Sequence, residues 1–280
     1  MNLTNYHSHC TYCDGKAPLE DFIKAAIAEG FTSYGVSSHA PLPFQTQWTM
    51  KNKDAVQAYL EECELLKKKY ASQIEFYTGL EIDYLNEENN PSIPYFRELP
   101  LDYRIGSLHY LYDDKGEIVD IDCSPERFRE IVDTRFNGDL DKVIKLYYER
   151  SILMIRTGGF DILGHADKVH YNACSYRPGL LDEVWYDSLI NDYLHEIRQA
   201  GCFLEVNTKA FGQRGVFYPN QRYFIRIKKM GIPIQVNSDA HYPERINNGR
   251  KEALTLLKEA GFTHVMELHQ GRWEETEIEV

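Results

Sequence analysis

No stretch of the 280 residues approaches ~18 uninterrupted apolar positions, so no membrane-spanning helix is expected. The first residues, Met1-Asn2-Leu3-Thr4-Asn5, lack a basic segment followed by an apolar run, so no export signal is expected. Cysteine is sparse: six, at positions 10, 13, 63, 123, 174 and 202. Scattered in a chain of this size, they are expected as reduced thiols rather than a disulfide framework. Together these features point to the cytoplasm. Cys10-x-x-Cys13 has no second pair, as a zinc ribbon needs, and opens no helix, as a thioredoxin-like site needs. Small buried side chains are the better reading. There is no Lys/Arg-rich block and the net charge is −12, so nucleic acid is not the expected partner. An anion can still be held where metal ions or a few arginines supply local positive charge. A Gly-rich dinucleotide fingerprint, a P-loop lysine and a sequence repeat are all missing. No composition break divides the chain, so one domain over residues 1–280 is expected.

What is present is alternation. Strands are expected at Asn5–Cys10, Ser33–His39, Glu75–Tyr84, Tyr103–Tyr110, Phe160–Asp167, Cys202–Thr208 and Pro233–His241, with a last one near Thr263–Leu268. Amphipathic helices separate them. One runs from Pro18 to Gly30, and another spans Asp54–Tyr70 with Val56, Tyr59, Leu60, Cys63 and Leu66 at helical spacing. Others start at Ser124-Pro125 and cover Leu140–Arg156, Asp182–Ala200, Asn220–Met230 and Arg250–Ala260. Asp113-Asp114-Lys115-Gly116 reads as a hairpin turn, and the acidic tail Trp273–Val280 as peripheral. Strand–helix repetition of this length implies an α/β fold with a parallel sheet, closed or nearly closed into a barrel.

Metal-ligating residue types recur where these strands end. His7 and His9, two apart, share a strand face. His39, Glu81, His109, His165, Asp239 and His241 follow at later strand ends. In a parallel barrel those ends converge on one face, where active sites lie. A single buried histidine is ordinarily a satisfied core residue. Six histidines and two acids at strand ends make that explanation a chain of coincidences. His195, His264 and His269 fit it better, and His170 is left open. The set exceeds the roughly four ligands of one structural zinc, so two or three ions are expected. Mixed nitrogen and oxygen donors suit Zn, Mn or Fe.

The motifs H-S-H (7–9), S-S-H (37–39), G-L-E (79–81), G-S-L-H (106–109), G-H-A-D (164–167) and N-S-D-A-H (237–241), in this order, resemble the PHP (polymerase and histidinol phosphatase) superfamily, and its histidinol-phosphatase members in particular. That resemblance spans His7 to His241 and implies a distorted (β/α)7 TIM-like barrel with a trinuclear divalent metal centre. By position, His7, His9, Glu81 and Asp239 would hold one metal. Glu81 would bridge to a second, held also by His109 and His165. Asp14, His39 and His241 would hold the third; Asp14 departs from the histidine that many members carry there. The implied activity is hydrolysis of a small phosphorylated substrate, L-histidinol phosphate, by a metal-activated water, a step in histidine biosynthesis. His241 or Asp239 would take part in proton transfer. Phosphate also wants a cationic fork, for which Arg214 is the first candidate and Lys168 and Arg177 the next. Asp83, Phe44, Trp48 and Tyr110 are candidates for the substrate's amine and imidazole. A related phosphoesterase acting on another small phosphate or a nucleotide is the alternative. A non-catalytic metal-binding module is disfavoured, because every ligand position is filled.

Overall fold

A computed structural model describes residues 1–280. Its main sheet has seven parallel strands: β1 (Thr4–Asn5), β2 (Ser33–Val36), β3 (Glu75–Asp83), β4 (Tyr103–Ser107), β7 (Ile162–Leu163), β8 (Phe203–Asn207) and β9 (Ile234–Asn237). They lie in the order β1-β2-β3-β4-β7-β8-β9, so each strand neighbours the next in the chain apart from one excursion. That excursion is the hairpin β5 (Tyr110–Tyr112) and β6 (Ile118–Asp120), turned at the expected Asp113–Gly116. The sheet curls into a nearly closed, distorted (β/α)7 barrel with helices outside.

Closure is made without a full ladder. Beyond β1 and β9, Ser8 and Ala240 form a single parallel bridge. Two asparagine side chains supply the remaining bonds. Asn5 Oδ1 accepts from the Ser238 amide at 2.7 Å, and Asn237 Oδ1 accepts from the Tyr6 amide at 2.8 Å. Backbone groups that would otherwise be buried and orphaned are thereby satisfied.

The interior is crossed by a tyrosine. Tyr103 donates its hydroxyl to the Tyr6 carbonyl at 2.6 Å. Gly35 and Gly79 make room for it, since a Cβ at either position would collide with the Tyr103 ring. Below this layer sits a small apolar cluster of Tyr6, Tyr77, Ile105, Ile162 and Leu268. A C-terminal hairpin plugs this end: β10 (His264–His269) pairs antiparallel with β11 (Arg272–Glu277). Trp273 packs edge-on against Tyr6 with ring centroids 5.3 Å apart, and the Leu268 amide donates to the Tyr6 hydroxyl at 2.7 Å. The tail expected to be peripheral is therefore structural. Its charged side chains face water while Trp273 and Ile278 turn inward, two apolar positions five residues apart that no regular alternation marks.

Most helices fall close to the expected bounds, among them Lys53–Tyr70, Leu140–Thr157 and Arg250–Glu259. One departure is at Gln221–Tyr223, which is a 3-10 turn leading into the helix Phe224–Met230. The strands are shorter than expected at their C-terminal ends. The first stops at Asn5, the second at Val36, the fourth at Ser107 and the fifth at Leu163. Past those points the chain leaves the pleat to aim side chains inward. His165, Asp167 and Asp239 adopt positive φ (24°, 68° and 48°), which costs energy for side-chain-bearing residues and persists only where surroundings enforce it. No helix is long and apolar enough to cross a membrane.

Candidate metal centre

Glu81, at the end portion of β3, is the hub of the C-terminal face. Its Oε2 lies 3.1 Å from His7 Nε2, 3.5 Å from His9 Nε2 and 2.9 Å from His39 Nδ1. Its Oε1 lies 2.8 Å from His165 Nε2 and 3.6 Å from His109 Nε2. Asp239 Oδ1 approaches His9 Nε2 at 3.2 Å, and Asp14 Oδ2 approaches His241 Nε2 at 3.1 Å. Three compact ligand groups result: His7/His9/Glu81, Glu81/His109/His165, and His9/Asp14/His39/His241, with Asp239 also beside His7 and His165. All nine residues expected as ligands thus come together.

Several of their atoms are buried without a hydrogen-bond partner: His7 Nε2, His9 Nε2, Asp14 Oδ1, His39 Nδ1 and Glu81 Oε2. Orphaned buried donors and acceptors of this kind are costly and rare. Imidazole nitrogens and carboxylate oxygens converging without protons to share are what divalent ions satisfy. The donor set fits a metal centre.

Electrostatics agree. Burial pushes the Glu81 carboxyl up, but His39, His7 and His109 outweigh it and hold the group well below the usual carboxylate range. Asp239 is likewise held ionised against burial by Lys209, His7 and His9. His9 is driven strongly toward neutrality by burial and by His39 and His241. Burial and Lys168 bring His165 down to about 4. His109 goes the other way: burial lowers it, yet Asp83 and Glu81 hold it at about 9.

The ligands are themselves held. Glu205, fully buried on β8, accepts from His7 Nδ1 at 2.7 Å, the His165 amide at 2.7 Å, Asn237 Nδ2 at 2.9 Å and Asn207 Nδ2 at 3.0 Å. Asp83 Oδ1 takes the His109 amide at 3.0 Å and His109 Nδ1 at 2.9 Å. Carboxylates behind histidine ligands fix the tautomer and raise donor strength. Glu205 escaped the sequence reading. Its only signal was an acid inside an otherwise apolar strand, Phe203-Leu204-Glu205-Val206. Asp83, considered for substrate contact, is occupied behind His109 instead.

A cavity of about 180 Å³ opens above the cluster, lined by Asp14, His39, Trp48, His109, Asp120, Asp122, Lys168, Lys209, Asp239 and His241. A second, of about 130 Å³, shares Asp122, Lys168, Lys209 and Asp239 and adds Asn207 and Arg214. Lys168 and Arg214 are thus brought to the site. Lys168 Nζ pairs with Asp122 at 2.6 Å, and Arg214 lies over the Tyr171 ring at 4.4 Å. Lys209, which sequence reasoning missed, reaches Asp239 Oδ1 at 3.0 Å. Arg177 is not brought there. Its guanidinium donates to Asp141 at 2.6 Å and pairs ionically with Glu183 at 3.1 Å, and it lines neither cavity. Asp120 and Asp122 enter because the β5–β6 hairpin folds back over the site. Trp48 stacks on Tyr110 at 5.6 Å and meets His39 edge-on at 4.5 Å, while Phe44 abuts Tyr110 at 5.3 Å. His170, left open above, is a satisfied structural residue between Asp167 and Asn220.

A family model described as PHP domain matches residues 5–209. The chain belongs to the PHP domain family. This PHP chain is 28% identical over 291 residues to a Schizosaccharomyces pombe protein named "Probable histidinol-phosphatase", covering 95% of this chain and 89% of that one. It is 27% identical over 259 residues to the histidinol-phosphatase of Bacillus subtilis, covering 86% of this chain and 94% of its relative. Among solved structures it shares the fold of a histidinol phosphate phosphatase from Lactococcus lactis complexed with Zn, L-histidinol and phosphate, with a TM-score of 0.71 at 18% identity, covering 97% of this chain and 98% of that one.

Proposed function

We propose that this PHP chain is a metal-dependent phosphoric monoester hydrolase that converts L-histidinol phosphate to L-histidinol and phosphate. The observation that carries the reading is the junction of the ligand cluster with Lys168, Lys209 and Arg214 around the two adjoining cavities. Anion-binding cations beside orphaned metal donors suit a phosphate ester in an otherwise acidic protein. The names of two relatives matched over most of their length support the choice of substrate.

We assign three divalent ions, Zn, Mn or Fe, to the groups His7/His9/Glu81/Asp239, Glu81/His109/His165 and Asp14/His39/His241. Bound there, such ions supply Lewis-acid polarisation of phosphoryl oxygens and an acidified water. The remaining work falls to side chains. Lys168, Lys209 and Arg214 hold the phosphate and offset its charge. Lys209 is positioned to exchange its bond with Asp239 for one to the substrate. Asp239 and His241 are the residues that hold or move the proton at the attacked face. Asp120 and Asp122 offer carboxylates to the substrate's ammonium, and Trp48 with Tyr110 forms an aromatic wall for its imidazole.

The test is phosphate release from L-histidinol phosphate and a panel of other monoesters, using protein stripped of metal and resupplied with Zn, Mn or Fe. Selective turnover that returns with metal and is lost in His241→Ala is the expected result. Turnover of a different ester would move the substrate and keep the site; no turnover with any metal would overturn the reading.

A further inference from the structure

The imidazoles of the cluster are not all backed alike. His7 Nδ1 meets the Glu205 carboxylate at 2.7 Å and His109 Nδ1 meets the Asp83 carboxylate at 2.9 Å. His9 Nδ1 faces a thiol: Cys13 Sγ lies 3.6 Å away. Cys13 Sγ is also 3.5 Å from the Cys10 carbonyl. A carbonyl only accepts, so the thiol donates its S–H there and presents its lone pairs to His9. His9 must then carry its proton on Nδ1. That leaves Nε2 bare, buried and without a hydrogen-bond partner, beside Asp239 and Glu81.

Resting on the metal-centre reading above, we propose that Cys13 is a positioning residue. It fixes the tautomer and ring orientation of His9 and sets that ligand's donor strength below that of its carboxylate-backed neighbours. A thiol is a weak acceptor, so it orients the ring without drawing on the Nδ1 proton as strongly as a carboxylate does. The ion assigned to His7, His9, Glu81 and Asp239 therefore rests on one imidazole that is a weaker donor than the carboxylate-backed His7 beside it. The C-x-x-C spacing has a use in this arrangement without being a metal or redox site: Cys10 supplies the carbonyl that aims the thiol, while its own Sγ turns to Ser38 Oγ at 3.3 Å.

The experiment measures stepwise Zn affinity by chelator competition in wild type, Cys13→Ala, Cys13→Ser and Cys10→Ala, with circular dichroism as a check on folding. Cys13→Ala is expected to weaken one ion by about 10- to 100-fold and leave the others in place. Cys13→Ser, which restores an acceptor, is expected to recover most of the loss, and Cys10→Ala to leave all steps unchanged. Equal affinities in wild type and Cys13→Ala, or an equal loss in Cys10→Ala, would overturn the proposal. A wild type that binds no Zn would instead sink the metal-centre reading. Should Cys13→Ala not fold, nitrogen-15 NMR of the metal-free wild type decides: a proton on His9 Nδ1 is expected, and one on Nε2 refutes it.

Discussion

Replacing Glu205 by glutamine changes almost no volume, yet it is expected to be among the most damaging substitutions outside the ligands. Every partner of the carboxylate is a donor. Oε1 takes His7 Nδ1 and Asn237 Nδ2; Oε2 takes the His165 amide and Asn207 Nδ2. An amide NH2 placed at either oxygen opposes two of them. At the Oε2 position it faces the His165 backbone N–H, which cannot rearrange. At the Oε1 position it faces Asn237, whose flip is blocked because its Oδ1 accepts from the Tyr6 amide and its Nδ2 also donates to Gln235. Only His7 can yield, by moving its proton from Nδ1 to Nε2. That relieves one conflict and leaves one charged hydrogen bond lost, worth roughly 1.5–3 kcal/mol. It also protonates the nitrogen that faces Glu81 Oε2, where the proposed metal would sit. Metal affinity at that group should fall about 10- to 100-fold, or roughly 1.4–2.8 kcal/mol. Urea unfolding of stripped protein reads the first quantity and chelator competition the second. A Glu205→Gln protein with wild-type stability and wild-type metal affinity would refute both the tautomer assignment and the role given to Glu205.

Two further expectations follow from the same geometry. His109 sits at about 9 in the metal-free fold against an ordinary 6.5, held up by Asp83 and Glu81 against burial. Its contribution to stability is complete below pH 6.5 and is lost as pH rises through about 9, so stripped protein should unfold more easily at pH 9.5 than at pH 6. Metal binding at neutral pH should displace this proton, which an indicator dye will register; no proton release from wild type, or unchanged release in Asp83→Asn, contradicts the assignment. Among the cations, Lys209→Met should raise KM for the ester by about tenfold or more, the worth of one charged contact, whereas Arg177→Ala should leave kinetics within error. A kinetic defect in Arg177→Ala would show that the cavity assignment is wrong.

The candidate ligands were legible in the sequence because a parallel barrel turns chain position into spatial position. A histidine or acid at the end of each strand needs no long-range knowledge to be placed with the others. The supporting residues carry no such marker. Glu205 and Asp83 matter because of what other strands bring beside them, at separations of 198 residues for Glu205 and His7 and 26 for Asp83 and His109. Arg177 was taken as a candidate cation and Lys209 passed over, because only the packing of the Arg177 guanidinium against Asp141 and Glu183 and the reach of Lys209 to Asp239 separate them. Asp120 and Asp122 depended on how the β5–β6 hairpin folds, which its turn residues announce but do not aim. The tail was misjudged because its two inward residues, Trp273 and Ile278, stand isolated among acids, and Trp273 has a partner only once the barrel's lower end exists.

The gap between β1 and β9 gives the chain a different kind of vulnerability. His7 and His9 stand on one lip of that gap and Asp239 and His241 on the other, joined by a lone bridge and two asparagine side chains. Ions bound as proposed, by residues from both lips, would act as the hoop on a stave-built cask. They would reinforce a seam that the fold itself joins by few bonds. Metal loss would then loosen the barrel's closure as well as remove its chemistry.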